Sequence, residues 1–212
     1  MTQNNKGPLI IGLTGSIATG KSALTSILKE LGYYIIDSDK IARRVSEKKE
    51  VLDQIEKEFG KEAIKDGQIN REYLGKKVFG NEENLKKINR IIHPKVYEEI
   101  IKSIIPGINF LDIPLLFETY EEGKSYGLKF NEIWLAYTPE KIQIKRLMNR
   151  DKIDKDFAIK KIRSQMSIEK KKELSDLIID NSGSLEDLRE KVKKIVKQKE
   201  KEYENFYKKT QI

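Results

Sequence analysis

One stretch constrains the fold more than any other: Gly15-Ser16-Ile17-Ala18-Thr19-Gly20-Lys21-Ser22. Before it runs Leu9-Ile10-Ile11-Gly12-Leu13-Thr14, short, apolar and rich in β-branched residues, which predicts a buried strand. After it runs Ala23-Leu24-Thr25-Ser26-Ile27-Leu28-Lys29-Glu30-Leu31, which predicts a helix. Gly15 and Gly20 permit backbone angles and a close approach that a side chain obstructs. The amides of the turn and of the helix start then converge on one spot, at the positive end of the helix dipole, and favour phosphate there. Lys21 would reach the β- and γ-phosphates, and the Ser22 hydroxyl would ligate Mg²⁺. The bare spacing arises by chance in on the order of one chain in a hundred of this length, and the flanking strand and helix lower that further.

The remaining composition narrows the class. The chain has 212 residues, enough for one cored domain with insertions. It contains no cysteine, which excludes disulfides and thiolate zinc sites. No apolar run approaches the roughly 20 residues of a membrane span. The N-terminal Met1-Thr2-Gln3-Asn4-Asn5-Lys6 carries no apolar signal region, so the expected location is the cytoplasm, with no membrane association. The net charge of +8 suits polyanionic ligands, but its lysines are spread along amphipathic patterns, as on a solvated face.

Along the chain, Tyr33-Tyr34-Ile35-Ile36 predicts a second strand, with Asp37-Ser38-Asp39 at its carboxyl end, where ligand-contacting groups collect in open α/β sheets. The two aspartates there either cap the next helix or face a ligand. From about Glu47 to Ile105 the pattern is helical, with a turn at Asp66-Gly67 and a kink expected at His93-Pro94; no strand is apparent. His93, the only histidine, makes neither a metal site nor a triad by itself. Ile108 to Asp112 predicts a strand ending in an acid; in phosphate-loop proteins such an acid commonly holds the Mg²⁺ shell, which makes Asp112 a candidate acting through water. Tyr120 to Lys129 reads as a surface loop, and Glu132 to Tyr137 as a further strand. Thr138-Pro139-Glu140 opens a helix on which Arg146 and Arg150 share a face. Asp151 to Lys172, with Arg163 and Gln165, reads as a helical flap with a basic inner side. Asp176 to Asn181 is the last strand, and a lysine-rich amphipathic helix follows.

About five strands, near residues 9, 33, 108, 132 and 177, alternate with helices. The expected fold is therefore α/β: a five-stranded parallel sheet with helices on both faces, of the phosphate-loop nucleoside-triphosphatase type. The expected core is residues 7–46, 106–150 and 173–212, with a helical acceptor-binding insertion at 47–105 and a helical lid at 151–172. That organisation is expected of a small kinase, which must enclose donor and acceptor against water.

At the level of motifs the sequence resembles the dephospho-CoA kinase family. The matching runs are Gly12-Leu13-Thr14-Gly15 with Gly20-Lys21-Ser22, Ile36-Asp37-Ser38-Asp39-Lys40-Ile41-Ala42-Arg43, Val78-Phe79, Ile92-His93-Pro94, Asp112-Ile113-Pro114-Leu115-Leu116-Phe117-Glu118 and Ile179-Asp180-Asn181. The chain departs where the family usually has glycine, at Ser16 and Ala18, and its loop from Glu121 to Lys129 is longer than usual.

The resemblance implies transfer of the ATP γ-phosphoryl group to the 3′-hydroxyl of dephospho-CoA. Asp39 aligns with the family's catalytic aspartate and Arg146 with its catalytic arginine, beside Lys21. Gly15, Ala18, Thr19, Gly20, Lys21, Ser22 and Ala23 would hold the nucleotide, with Asn181 near adenine; Ser22 would hold Mg²⁺. The implied partners are ATP and dephospho-CoA, with no nucleic acid and no obligate protein partner. Two rivals stay open: another small kinase acting on a nucleotide or nucleoside, and a basic nucleic-acid-binding module or nucleotide switch. Pro114 to Glu118 argues against the first. The second lacks both the aromatic-and-basic interleaving of a stacking platform and the Asn-Lys-x-Asp run of guanine readers.

Overall fold

A computed structural model describes residues 7–209. The N-terminal stretch read above for a signal region, and the last three residues of the expected core, lie outside the described residues. The rest divides into two compact units: residues up to Ile36 together with those from Ile104 onward, and Asp37–Ser103.

The first unit is built on a five-stranded sheet. β1 (Pro8–Gly15) leads into α1 (Lys21–Glu30), and β2 (Ile35–Asp37) follows. After the second unit come β5 (Gly107–Asp112), α6 (Tyr120–Ser125), β6 (Glu132–Tyr137), α7 (Glu140–Asp151), α8 (Lys155–Arg163), α9 (Ile168–Leu174), β7 (Leu177–Asp180) and α10 (Leu185–Lys209). The strand order is β2-β5-β1-β6-β7, so β1 is central. It pairs in parallel with β5, Leu13 opposite Asp112, and with β6, Gly15 opposite Ala136. This is the parallel, helix-covered sheet expected from the sequence. Consecutive buried residues, Phe110-Leu111 and Trp134-Leu135, show both faces to be covered, as continuous apolar strands require. On one face Leu24, Ile27 and Leu28 of α1 and Leu188, Val192 and Val196 of α10 join Ile11, Leu13, Phe110 and Trp134 in one cluster. The Trp134 indole N–H, which needs a partner when buried, donates to Glu132 at 2.9 Å.

A second, smaller cluster bears directly on the loop between β1 and α1. Leu147 of α7 and Ala158 and Ile162 of α8 pack together, and the side chains of Ile17 and Ala18 rest against them. Ala18 has φ +62°, a left-handed conformation that costs a non-glycine residue roughly 1–2 kcal/mol. Its methyl group is partly buried on that cluster and offsets part of the cost.

The second unit holds α2 (Ser38–Ser46), α3 (Lys49–Phe59), a 3₁₀ turn, the strands β3 (Ile64–Lys65) and β4 (Gln68–Ile69), α4 (Arg71–Val78) and α5 (Glu82–Lys102). Its core is Ile41, Val45, Val51, Ile55, Ala63, Leu74, Val96, Tyr97 and Ile100. α5 is one continuous helix with Pro94 inside it. The hairpin was not anticipated. Asp66 and Gly67 both have positive φ, +51° and +73°, the geometry of a two-residue turn that matches strand twist. The paired strands are only two residues each, too short to leave an alternating pattern. α6 likewise occupies a stretch read as loop. Gly123 within it broke the helical signal, yet that glycine is buried, and Tyr120 stacks on Phe130 at 6.3 Å.

Candidate active site

The first turn of α1 is left open. Its N-cap is Gly20, which has no side chain to cap the helix, and the turn carries no acid. By contrast Asp37, Asn70, Asn81, Asp154 and Ser167 each accept a first-turn N–H at the starts of α2, α4, α5, α8 and α9. An uncapped helix N-terminus presents amide donors and positive potential to a ligand. Gly20 is required twice over: its φ is +85°, and a β-carbon there would lie 1.9 Å from the Asn181 amide nitrogen. At Gly15 a β-carbon would meet the Thr19 hydroxyl at 2.6 Å.

The loop is held by its surroundings. Thr19 closes it on itself, its hydroxyl donating to the Ser16 carbonyl at 2.9 Å. The Thr19 carbonyl in turn accepts from the Asn181 amide at 2.8 Å, and the Thr138 hydroxyl lies 3.1 Å from it. Arg146 sends one guanidinium nitrogen to the Asn181 carbonyl at 2.8 Å and the other to the Thr138 hydroxyl at 3.2 Å. The Ser16 hydroxyl is buried and makes no hydrogen bond.

A cavity of about 540 Å³ opens on this side, lined by Ser16, Ala18, Gly20, Lys21, Ser22, Ala23, Arg146, Arg150, Asn181, Gly183 and Leu185. Most of the residues expected to hold nucleotide therefore meet at one place. Gly15 and Thr19 stand behind the lining and shape it. Lys21 is ion-paired with Asp112 at the end of β5, both side chains largely shielded. Asp39 stands in the other unit, in the first turn of α2. Asp37 is the cap there, accepting from the Lys40 N–H at 3.0 Å, while Asp39 is exposed and left out of the cap. His93 lies edge-on to Tyr97 within α5, ring centroids 6.1 Å apart.

Several residues at this place were not singled out from the sequence as site residues. Arg150 lines the cavity one turn beyond Arg146, and the shared face of the two arginines was the available signal. The Arg150 and Lys161 side chains bond to Asp151 and hold its carboxyl near 2, well below the usual carboxylate range. Thr138 is fully buried under the loop. Asn181, expected near adenine, uses its amide nitrogen on the loop itself.

No helix among the described residues is long and apolar enough to cross a membrane. Comparison with known proteins gives one consistent family. The dephospho-CoA kinase family model matches residues 9–187. The dephospho-CoA kinase of Carboxydothermus hydrogenoformans is 48% identical over 191 residues, covering 86% of this chain and 90% of that protein. Among solved structures, TT1252 from Thermus thermophilus superposes with a TM-score of 0.75 at 33% identity, covering 91% of this chain and 98% of that one. Dephospho-CoA kinase from Campylobacter jejuni gives 0.61 at 29% identity, covering 90% and 97%. With an open helix start, a shielded lysine and a buttressed arginine around one cavity, and with this agreement over nearly its whole length, the chain belongs to the dephospho-CoA kinase family.

Proposed function

We propose that the chain moves the γ-phosphoryl group of ATP to the ribose 3′-hydroxyl of dephospho-CoA, giving CoA and ADP, the final step of coenzyme A formation. The observation that carries this reading is the uncapped start of α1 opening on a cavity shared with Lys21, Ser22 and Arg146. The triphosphate lies across the loop amides, with Lys21 on its β- and γ-oxygens. The adenine uses the part of the lining that Gly183 and Leu185 form, and Asn181 braces the loop through the Thr19 carbonyl.

The donor set suits Mg²⁺. Ser22 offers one exposed hydroxyl, Asp112 stands at Lys21, and no cluster of three or more histidines or carboxylates exists among the described residues. An ion held mainly by substrate phosphates and water needs no more than that. When bound, Mg²⁺ neutralises charge on the phosphate oxygens.

Transfer passes through a loose transition state, so orientation and charge compensation matter more than base strength. Arg146 is already fixed at both guanidinium ends and neutralises charge on the group in flight. Asp39 orients the acceptor hydroxyl and takes its proton. The insertion at 47–105, with the adjoining α2, holds the acceptor. In support, the second unit carries a cavity of about 480 Å³ with Leu74, Val78, Ile88 and Ile92 for an apolar arm and Arg43 and Arg71 for a diphosphate. Residues 151–172 form the lid, and Arg150 at its base faces the donor.

The test is direct: incubate the protein with ATP, Mg²⁺ and dephospho-CoA and look for CoA and ADP in equal amounts. ADP without CoA, or phosphorylation of some other nucleotide or nucleoside acceptor in preference, overturns the reading.

A further inference from the structure

The connection between α8 and α9 grips the phosphate loop from outside the cavity. The Ile17 N–H donates to the Gln165 side-chain oxygen at 3.0 Å. On α9, the Lys171 side chain is fully buried. Its ammonium pairs with Glu118 at 2.9 Å and lies 3.5 Å from the Gly15 carbonyl and 3.4 Å from the Pro114 carbonyl. Glu118 also accepts the Met166 N–H at 3.0 Å, and the Pro114 carbonyl accepts from the Thr14 hydroxyl at 3.1 Å. Four segments thus meet at one buried charge: the end of β1, the Pro114–Glu118 run, the α8–α9 connection and α9.

Packing does not account for a lysine there. A buried ammonium is costly unless paired and hydrogen-bonded, and methionine would fill the space without that cost. Burial pulls Lys171 toward its neutral form, Glu118 opposes this, and the nearby charge of Lys21 adds to the pull. The side chain is placed beside Lys21 in spite of that repulsion.

We propose that Gln165 and Lys171 are positioning residues that hold the phosphate loop in its nucleotide-binding shape from behind, Gln165 through the Ile17 amide and Lys171 through the Gly15 and Pro114 carbonyls. Neither lines the cavity, so each would act on the nucleotide only through the loop. The proposal rests on the reading that this loop holds the ATP phosphates. A loop set in advance loses less freedom on binding, so releasing it weakens ATP before it weakens the acceptor.

The experiment uses the full chain with Gln165→Leu, Lys171→Met and, as control, Lys21→Ala. ATP affinity is measured by calorimetry, KM and kcat for both substrates by steady-state assay, and folding by thermal unfolding. Each clamp variant should raise the ATP dissociation constant and KM about tenfold and leave the KM for dephospho-CoA within about twofold, with Lys171→Arg restoring part of the loss. A merely structural lysine would lower the folded fraction, and kcat with it, while both KM values stayed put. An ATP dissociation constant within about twofold of the parent in a folded variant overturns the proposal for that residue. If Lys171→Met fails to fold, Gln165→Leu, placed in a connecting turn, decides alone. If Lys21→Ala also leaves ATP binding unchanged, the phosphate-site reading fails; if only Lys21→Ala weakens it, the clamp alone fails.

Discussion

Arg146 and Asn181 are joined by a guanidinium-to-carbonyl hydrogen bond of 2.8 Å, which ties α7 to the residue that follows β7. The same Asn181 holds the Thr19 carbonyl through its side-chain amide. The arginine is therefore held by protein groups at both guanidinium ends, the arrangement that the proposed charge-compensating role calls for.

Replacing Arg146 by alanine should lower kcat by about 10²–10³ and change ATP affinity less. Lysine should restore little, because one ammonium cannot serve both the Asn181 carbonyl and the Thr138 hydroxyl with a planar fork. Steady-state kinetics decides: an unchanged kcat with a raised KM would contradict the role.

Asp39→Asn keeps the shape of the α2 start, because Asp37 provides the cap. ATP binding should persist while turnover falls by about 10² or more. Near-parental turnover would remove Asp39 from the chemistry.

Gly20→Ala places a methyl group against the Asn181 amide in a left-handed conformation. The conformation alone should cost roughly 1–2 kcal/mol, and displacing Asn181 should loosen the loop. Thermal unfolding and an ATP titration should both register the change; a neutral result in both would show that the loop relaxes freely.

Ser16→Ala removes a buried hydroxyl that has no partner. Stability should stay level or rise by up to about 1 kcal/mol, as thermal unfolding measures. A clear loss of stability would show that the hydroxyl is satisfied within the fold.

Asp151 ties α7 to α8 through bonds from Arg150 and Lys161, and its folded-state value near 2 lies below the ordinary value of about 3.9. Its contribution to stability is full above the ordinary value and is lost as pH falls from there through the folded one. Urea unfolding across that window should show a steeper acid loss for the parent than for Asp151→Asn. Parallel pH profiles would refute the linkage.

The sheet and the loop were legible because their signals are local. β1 is an unbroken apolar run, its turn is spelled by two glycines, and the helix after it is periodic over Leu24, Ile27 and Leu28. What stayed hidden depends on residues far apart in the chain. Ile17 and Gln165 are separated by 148 positions, so no window contains their bond. Within Lys170-Lys171-Lys172 the composition is uniform; only packing turns the middle one inward, on the same helix face as the buried Ile168. Asn181 was visible as a strand-end polar residue, but the carbonyl it serves lies on the other side of the sheet's connectivity, at Thr19.

With β1 in the middle of the order β2-β5-β1-β6-β7, the chain runs first to the β2 edge, returns to β5 beside β1, and then crosses to β6 and β7 on the other side. Crossovers to either side part company at its carboxyl end, and a crevice opens there by topology alone. Where the binding cleft sits is thus settled by how the strands are dealt out, and side chains decide only what enters it. Apolar exchanges inside β1, β5 or β6 should alter how firmly this scaffold stands while leaving the address of the cleft unchanged.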